Sequence, residues 1–98
     1  MKYSLIIRPE AEADLQDAFQ WYQQQKTGFG VRFLQSVGVS LSLINRSPIM
    51  FPSIHQEIRR ALIRRFPYGI FYFLAEKKII VIAVFHVSRH PKRWQKRK

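Results

Sequence analysis

The stretch of sequence that decides the fold is residues 70–87, IFYFLAEKKIIVIAVFHV. It contains two apolar runs, 70–74 and 79–87, rich in the β-branched and aromatic side chains that are typical of strands. The polar residues Glu76-Lys77-Lys78 separate the two runs and predict a tight hairpin turn. Because 79–87 is the more apolar run, we expect it to be a central strand of the sheet.

Two further strands are predicted upstream of this hairpin. Residues 58–66 are β-like and end at the turn residues Pro67-Tyr68-Gly69. Residues 3–7 read as a short strand, which we expect at an edge of the sheet beside residues 79–87. Residues 47–57 are expected to form a loop, since they contain two prolines.

Two helices are predicted between the first strand and this loop. The first should run from about Pro9, which suits a first helical turn, to Gln25, where Lys26-Thr27-Gly28 provides a stop. The second should run from about Phe29 to Asn45. Apolar residues recur at helical spacing in both: Ala11, Leu15, Ala18 and Tyr22 in the first, and Leu34, Val37, Leu41 and Ile44 in the second. The short gap between them predicts an antiparallel helical hairpin.

The predicted element order is β-α-α-β-β-β. Two helices cannot bury their apolar stripes alone, whereas a sheet of consecutive hairpins covers them on one face. We therefore expect an α+β fold with two layers, a helical hairpin packed on a mostly antiparallel sheet, in one domain spanning residues 1–98. The other face of the sheet is expected to be open, with arginines of the 58–66 strand pointing into it.

Composition excludes several classes of protein. The 98 residues contain no cysteine, which excludes a disulfide scaffold and a thiolate metal site. The longest apolar run, residues 79–85, is far shorter than the roughly 20 residues that span a bilayer. The N-terminus has no secretory apolar segment. These features predict a cytoplasmic protein without membrane contact, and no motif indicates a metal or a cofactor.

The charge is concentrated in the C-terminal part of the chain. The net charge is +11, from 17 Lys and Arg against 6 Asp and Glu. Residues 1–58 hold five basic and five acidic residues, whereas residues 59–98 hold twelve basic residues and one acid. Such a field attracts a polyanion, either nucleic acid or an acidic protein. A merely solubilising surface is the alternative.

Two arginine pairs stand in the predicted 58–66 strand. Arg60 and Arg64 would share one face of it, and Arg59 and Arg65 the other. Either set gives an anion-binding face, or alternatively protects an edge strand from aggregation. The sequence leaves the register of this strand undecided, so either Arg60 with Arg64 or Arg59 with Arg65 faces the open side of the sheet.

Histidines and tryptophans are the remaining candidates for chemistry. His86, next to Arg89, could act as an acid or base on a phosphodiester, but a partly buried histidine bonded to nearby backbone is favoured. His55 has no visible partner in the sequence. Trp94, in the basic tail, either stacks on a nucleic-acid base or pins the tail to the domain, and pinning is favoured. Trp21 flanks the first helical stripe and is expected to be half-buried.

Several motifs, in order along the chain, resemble one known family. They are Arg8-Pro9-Glu10-Ala11-Glu12-Ala13-Asp14-Leu15, Trp21-Tyr22, Gly28-x-Gly30, the arginine-rich strand 59–66, Tyr68-Gly69-Ile70-Phe71-Tyr72, Ala83-Val84-Phe85-His86 and Arg89-His90-Pro91-x-x-Trp94. Together they resemble the RelE/ParE superfamily of toxins from bacterial type II toxin–antitoxin systems. The resemblance implies a small basic cytoplasmic toxin that a cognate antitoxin holds inactive.

The superfamily has two functional branches. The RelE-like branch cleaves mRNA on the ribosome, and usually carries an arginine where this chain has Gly69. Loss of a positioned cation costs several kcal/mol of transition-state stabilisation. If the chain were nevertheless an mRNA interferase, its candidate catalytic residues would be Arg65, His86 and Arg89.

The ParE-like branch poisons DNA gyrase by binding and has no nuclease site. The acidic opening of the first helix and the Phe/Tyr strand resemble this branch more closely, so a ParE-like gyrase inhibitor without catalytic residues is the favoured interpretation. Its expected partners are DNA gyrase and an acidic antitoxin, ParD-like or other, through which the complex would bind operator DNA. The candidate anion- or partner-binding residues are Arg59, Arg60, Arg64, Arg65, Arg89, Lys92, Arg93 and Trp94.

Overall fold

The hairpin expected at residues 70–87 is the central feature of the structure, a computed structural model that describes residues 3–98. Its two strands pair antiparallel from Tyr68 opposite His86 to Ala75 opposite Lys78. The elements are β1 (Ser4–Ile7), α1 (Pro9–Gln25), α2 (Phe29–Arg46), β2 (Ser53–His55), β3 (Ile58–Leu62), β4 (Tyr68–Ala75), β5 (Lys78–His86) and α3 (Lys92–Gln95). The expected α+β arrangement, a helical hairpin on a mostly antiparallel sheet, is confirmed.

The sheet has five strands in the order β1-β5-β4-β3-β2. The expected place of β1 is confirmed, since it forms an edge and pairs parallel with β5 from Ser4 opposite Lys78 to Ile7 opposite Val81. β5 is flanked on both sides, as expected for the most apolar strand, although the middle strand of the five is β4.

Both long helices begin and end within one residue of their expected bounds. Pro9 opens α1, and two glutamates follow in the first turn, where they favour the positive end of the helix dipole. The helices touch at Gly30, where a Cβ would come within 2.8 Å of the Phe19 ring, so only glycine permits this approach. Most of the expected stripe residues are buried, while Leu15 and Leu41 are half-buried. Leu34 is 41% exposed, because α2 turns Phe33 inward instead.

Three expectations about strand bounds are wrong. Tyr68 and Gly69, expected in a turn, belong to β4. The expected loop 47–57 contains β2, which pairs with β3 through Ser53 opposite Arg59. The strand expected at 58–66 ends at Leu62, so Arg64 and Arg65 lie in the following turn. The turn closes when the Ile63 N–H donates to the Tyr68 carbonyl at 2.8 Å, and Pro67 has no N–H with which to extend a ladder.

The sheet carries an apolar core on each face. One core lies under α1 and α2. The second, on the opposite face, consists of Ile58, Phe71, Ile82, Ala83, Phe85 and Trp94. The expectation of an open second face is therefore wrong over its centre, where the C-terminal segment covers it. Within residues 3–98, no helix combines the length and hydrophobicity needed to cross a bilayer.

Candidate functional site

A cleft of about 480 Å³ lies between α1 and the C-terminal end of β5, and we call it the α1–β5 groove. Asp14, Asp17 and Trp21 of α1 form one wall, and His86 and Arg89 lie on the other. Trp21 is 53% exposed, more than the sequence suggested, and its ring meets Tyr22 edge-on at 5.0 Å. The groove thus offers an exposed indole beside groups of both charges.

Asp14 is fixed in place by the structure and is not free to bind a partner. Its Oδ2 accepts from the Val84 N–H at 3.0 Å and from Arg97 Nη1 at 2.6 Å. β1 ends opposite Val81, so the next amide on that edge of β5 needs another acceptor. The Asp14 carboxylate supplies it, and no local pattern in the sequence indicates this contact across 70 residues.

His86 has the structural role favoured from the sequence. Its Nδ1 accepts from the Ser88 N–H at 3.0 Å, so this nitrogen is engaged with nearby backbone. Its ring lies edge-on to Tyr68, with the centroids 5.4 Å apart. Burial raises the pKa of Tyr68, although Arg89 opposes the shift. Burial, with a contribution from Tyr68, also raises the pKa of Tyr22, so neither phenol is a base at neutral pH.

A second cleft, of about 690 Å³, lies between α2 and the turn after β3, and we call it the α2–turn groove. Arg32 and Arg65 line it together with Phe66 and Val39. Arg65 has a φ of 72°, in the left-handed region that non-glycine residues seldom adopt. Arg65 therefore lines a different groove from His86 and Arg89, and the three candidate catalytic residues do not line one cavity.

Gly69 leaves room for the side chain of Arg60. A Cβ at position 69 would lie 3.0 Å from both Cγ and Cδ of Arg60, which is closer than ordinary van der Waals contact. A longer side chain at 69 would displace the Arg60 stem from the sheet. Gly69 is thus part of the packing of β3 against β4.

Arg59, one of the candidate binding residues, makes structural contacts within the fold. Its Nη1 donates to the Ile49 and Phe51 carbonyls at 3.1 and 2.5 Å. Beside it, the Tyr72 hydroxyl donates to the Pro48 carbonyl at 2.7 Å. Burial raises the pKa of Tyr72 to about 12, with Arg59 acting in the opposite direction. Both side chains hold the loop after α2 onto the sheet.

Trp94 pins the C-terminal segment, as favoured from the sequence. The indole stacks on Phe71 at 4.8 Å, and His55 meets it edge-on at 6.1 Å. Trp94 is 6% exposed, so little of the ring of this candidate binding residue is open to a partner. The contact also gives His55 the partner that the sequence did not reveal.

The other candidate binding residues lie at the surface. Arg64 and Arg65 are exposed in the turn after β3, and Lys92 and Arg93 are exposed on α3. Arg89 is exposed as well, with its guanidinium 4.4 Å from the Phe85 ring centroid. Arg60 is half-buried, in keeping with its packing over Gly69.

Several apolar surface residues were missed by the sequence analysis. Val39 on α2 is 62% exposed and lines the α2–turn groove, and Ile49 and Met50 are exposed in the loop after α2. The sequence pattern indicates the exposure of Val39, because this residue lies on the side of α2 opposite the buried Phe33 and Val37. Such side chains on a charged surface often mark a protein contact.

Comparison with known proteins identifies the family. The family model of the ParE toxin of type II toxin–antitoxin systems, parDE, matches residues 5–91. The chain belongs to the ParE toxin family. Among solved structures, this ParE-family chain is similar to one from the chromosomal ParDE toxin–antitoxin system of P. aeruginosa, with a TM-score of 0.78 and 17% sequence identity. The likeness covers 87% of this chain and 96% of that chain, and it shows the shared fold. No curated protein matches the sequence significantly.

Proposed function

We propose that this ParE-family chain inhibits DNA gyrase by binding it, stabilises the cleaved-DNA complex of gyrase and so blocks DNA replication. The observation that carries the choice of gyrase over mRNA is Gly69, where the mRNA-cleaving branch has an arginine. The Arg60 stem packs over this glycine. Loss of one positioned donor costs about 10²- to 10³-fold in kcat, so the position disfavours phosphodiester cleavage.

The arrangement of the other candidate catalytic groups supports the same choice. A nuclease needs its base and its cations around one phosphate. Here His86 and Arg89 line the α1–β5 groove, whereas Arg65, the third candidate, lines the α2–turn groove. The Nδ1 of His86 is also engaged by Ser88. The surfaces therefore suit binding, and the proposed mechanism requires no cofactor.

An acidic antitoxin is the proposed inhibitor of the toxin. The α2–turn groove has an apolar floor at Phe66 and Val39 and two cations, Arg32 and Arg65, with no acidic residue in its lining. An amphipathic helix with acids on its flanks fits such a groove and would fold as it binds. We further propose that the toxin–antitoxin complex binds operator DNA through the antitoxin.

The deciding experiment is a gyrase supercoiling assay with the purified chain, with the cleaved-DNA complex scored on the same gel. Inhibition with accumulation of linear DNA is the expected result. Unaffected gyrase at micromolar toxin would overturn the proposal and leave mRNA cleavage on translating ribosomes as the next test.

A substitution at His86 separates binding from catalysis. Because we assign His86 a structural contact and no chemistry, His86→Ala should keep gyrase inhibition. If His86 were instead the catalytic acid or base of an mRNA interferase, the same substitution would reduce mRNA cleavage about 10²- to 10⁴-fold. The thermal midpoint of the variant must be measured alongside, since a misfolded variant would also lose inhibition.

A further inference from the structure

The C-terminal segment, residues 88–98, extends past the family match, which ends at residue 91. It contains six Lys and Arg and no acidic residue. Two of these cations fasten the segment to the domain: Arg97 pairs with Asp14, and Lys98 pairs with Glu57. The family match therefore indicates no role for the other basic residues of this segment.

Three of the remaining cations stand on α3 and the residue after it. Lys92, Arg93 and Lys96 are exposed, and among residues 3–98 none of them forms a salt bridge. Trp94, in the same turn, is directed into the second core against Phe71. The buried indole fixes the short helix, so these cations are presented from a preorganised support and little ordering is needed when they bind.

The composition of this surface selects one kind of partner. Trp94 is the one aromatic side chain of the segment, and it is 6% exposed. Protein interfaces need an apolar centre and are depleted in lysine, and this surface does not provide such a centre. A nucleic-acid backbone needs cations alone, since its phosphates dominate the affinity. The surface therefore fits DNA phosphates better than it fits an acidic protein.

We propose that Lys92, Arg93 and Lys96, held in place by Trp94, form a docking surface for the phosphate backbone of duplex DNA. This surface binds without sequence preference, because cations that contact phosphates position the duplex without reading bases. It lies on the sheet face opposite α1 and α2, so it leaves both grooves accessible to a protein partner. The toxin itself thus contacts DNA in addition to any contact made by an antitoxin.

The test is a fluorescence anisotropy titration of a labelled random-sequence duplex with the full chain, repeated between 50 and 200 mM salt. Each phosphate contact contributes about −0.9 to the slope of log K against log salt. Three contacts therefore predict about a 40-fold loss of affinity over this range. The triple variant Lys92→Gln, Arg93→Gln, Lys96→Gln should lose about 2.7 of that slope and bind more weakly at every salt concentration.

The matched control is the triple variant Lys26→Gln, Arg46→Gln, Lys77→Gln, which removes the same charge from exposed positions outside the C-terminal segment. It should keep a slope within about one unit of the parent chain. Equal losses in the two triple variants would show that binding follows net charge only, and would overturn the proposal. Absence of DNA binding by the parent chain at 50 mM salt would do the same.

A second titration, with poly-glutamate as probe, covers the competing class of partner. If the Lys92→Gln, Arg93→Gln, Lys96→Gln variant binds poly-glutamate more weakly and DNA as well as the parent chain does, the surface serves an acidic protein and the proposal is wrong. Neither titration contains gyrase or antitoxin, so the outcome is independent of the proposed function. Because the substituted side chains are exposed, both triple variants should unfold at nearly the same temperature as the parent chain.

Discussion

Replacement of Trp94 by alanine should destabilise the protein strongly, although the residue lies only four positions from the last one, Lys98. A buried tryptophan removes about 200–250 Å² of surface from water, worth about 5–6 kcal/mol at 25 cal/mol per Å². Trp94 is 6% exposed, so nearly all of this applies. The segment regains conformational entropy when it detaches, which reduces the expected loss to about 2–4 kcal/mol.

The assay is thermal and urea unfolding followed by far-UV circular dichroism. For a domain of this size, each kcal/mol shifts Tm by about 4–8 °C, so Trp94→Ala should lower Tm by about 10–30 °C. The matched control is Trp21→Ala, which deletes the same side chain where it is 53% exposed, and should cost about 1 kcal/mol or less.

Limited trypsin digestion tests the cause of that loss. The C-terminal segment of Trp94→Ala should be cleaved at its basic residues before the rest of the chain, because the segment is no longer held on Phe71. If Trp94→Ala and Trp21→Ala lost equal stability, or if the segment resisted trypsin in both, then Trp94 would not pin the segment and the argument for a preorganised surface would fail.

Two further predictions concern buried polar contacts. Asp14→Ala leaves a β5 amide without its acceptor and Arg97 without its counter-ion, so it should lower the free energy of unfolding, measured in urea, by about 2–3 kcal/mol. Asp17→Ala, on the exposed side of the same helix, should lower it by less than about 0.5 kcal/mol. Equal losses in the two variants would contradict the role assigned to Asp14. The pKa of Tyr72 is raised to about 12 from 10.0, so the folded state holds the hydroxyl proton more tightly than the unfolded chain does. The contribution of this proton to the free energy of unfolding is therefore complete below pH 10 and is lost as pH rises towards 12. Tyr72→Phe, which lacks the hydroxyl that donates to Pro48, should show a shallower loss of stability over that range, and an unchanged slope would show that Tyr72 is not responsible.

The sequence predicted most reliably those features whose signals are local. The bounds of α1 follow from Pro9 at its start and Lys26-Thr27-Gly28 at its end, which act within a turn of their own position. The hairpin of β4 and β5 follows from alternating apolar runs around one polar turn. The element order also places β1 beside β5, and the sheet order confirms it.

Features that depend on contacts between distant residues could not be predicted in this way. β2 has three residues, too few for a periodic signal, and it exists because β3 offers it an edge. Arg59 has the sequence pattern of a surface cation, because its bonds to the Ile49 and Phe51 carbonyls form only once the loop after α2 lies beside β3. The sequence favours pinning of the C-terminal segment by Trp94 on general grounds, but it indicates neither the stacking on Phe71 nor the covering of the second face of the sheet.

The parallel pairing of β1 with β5 has a consequence for the order of folding. β1 is the first strand of the chain and β5 the last, and Arg8 bonds the Arg97 carbonyl across a separation of 89 residues. Loops of this length must close before their contacts contribute, which slows folding. During synthesis, the helical hairpin is therefore complete while its apolar stripe still lacks the strand it packs against. A newborn molecule spends this interval as an exposed helical pair, and it acquires the surfaces of the finished toxin only after the final strand has emerged.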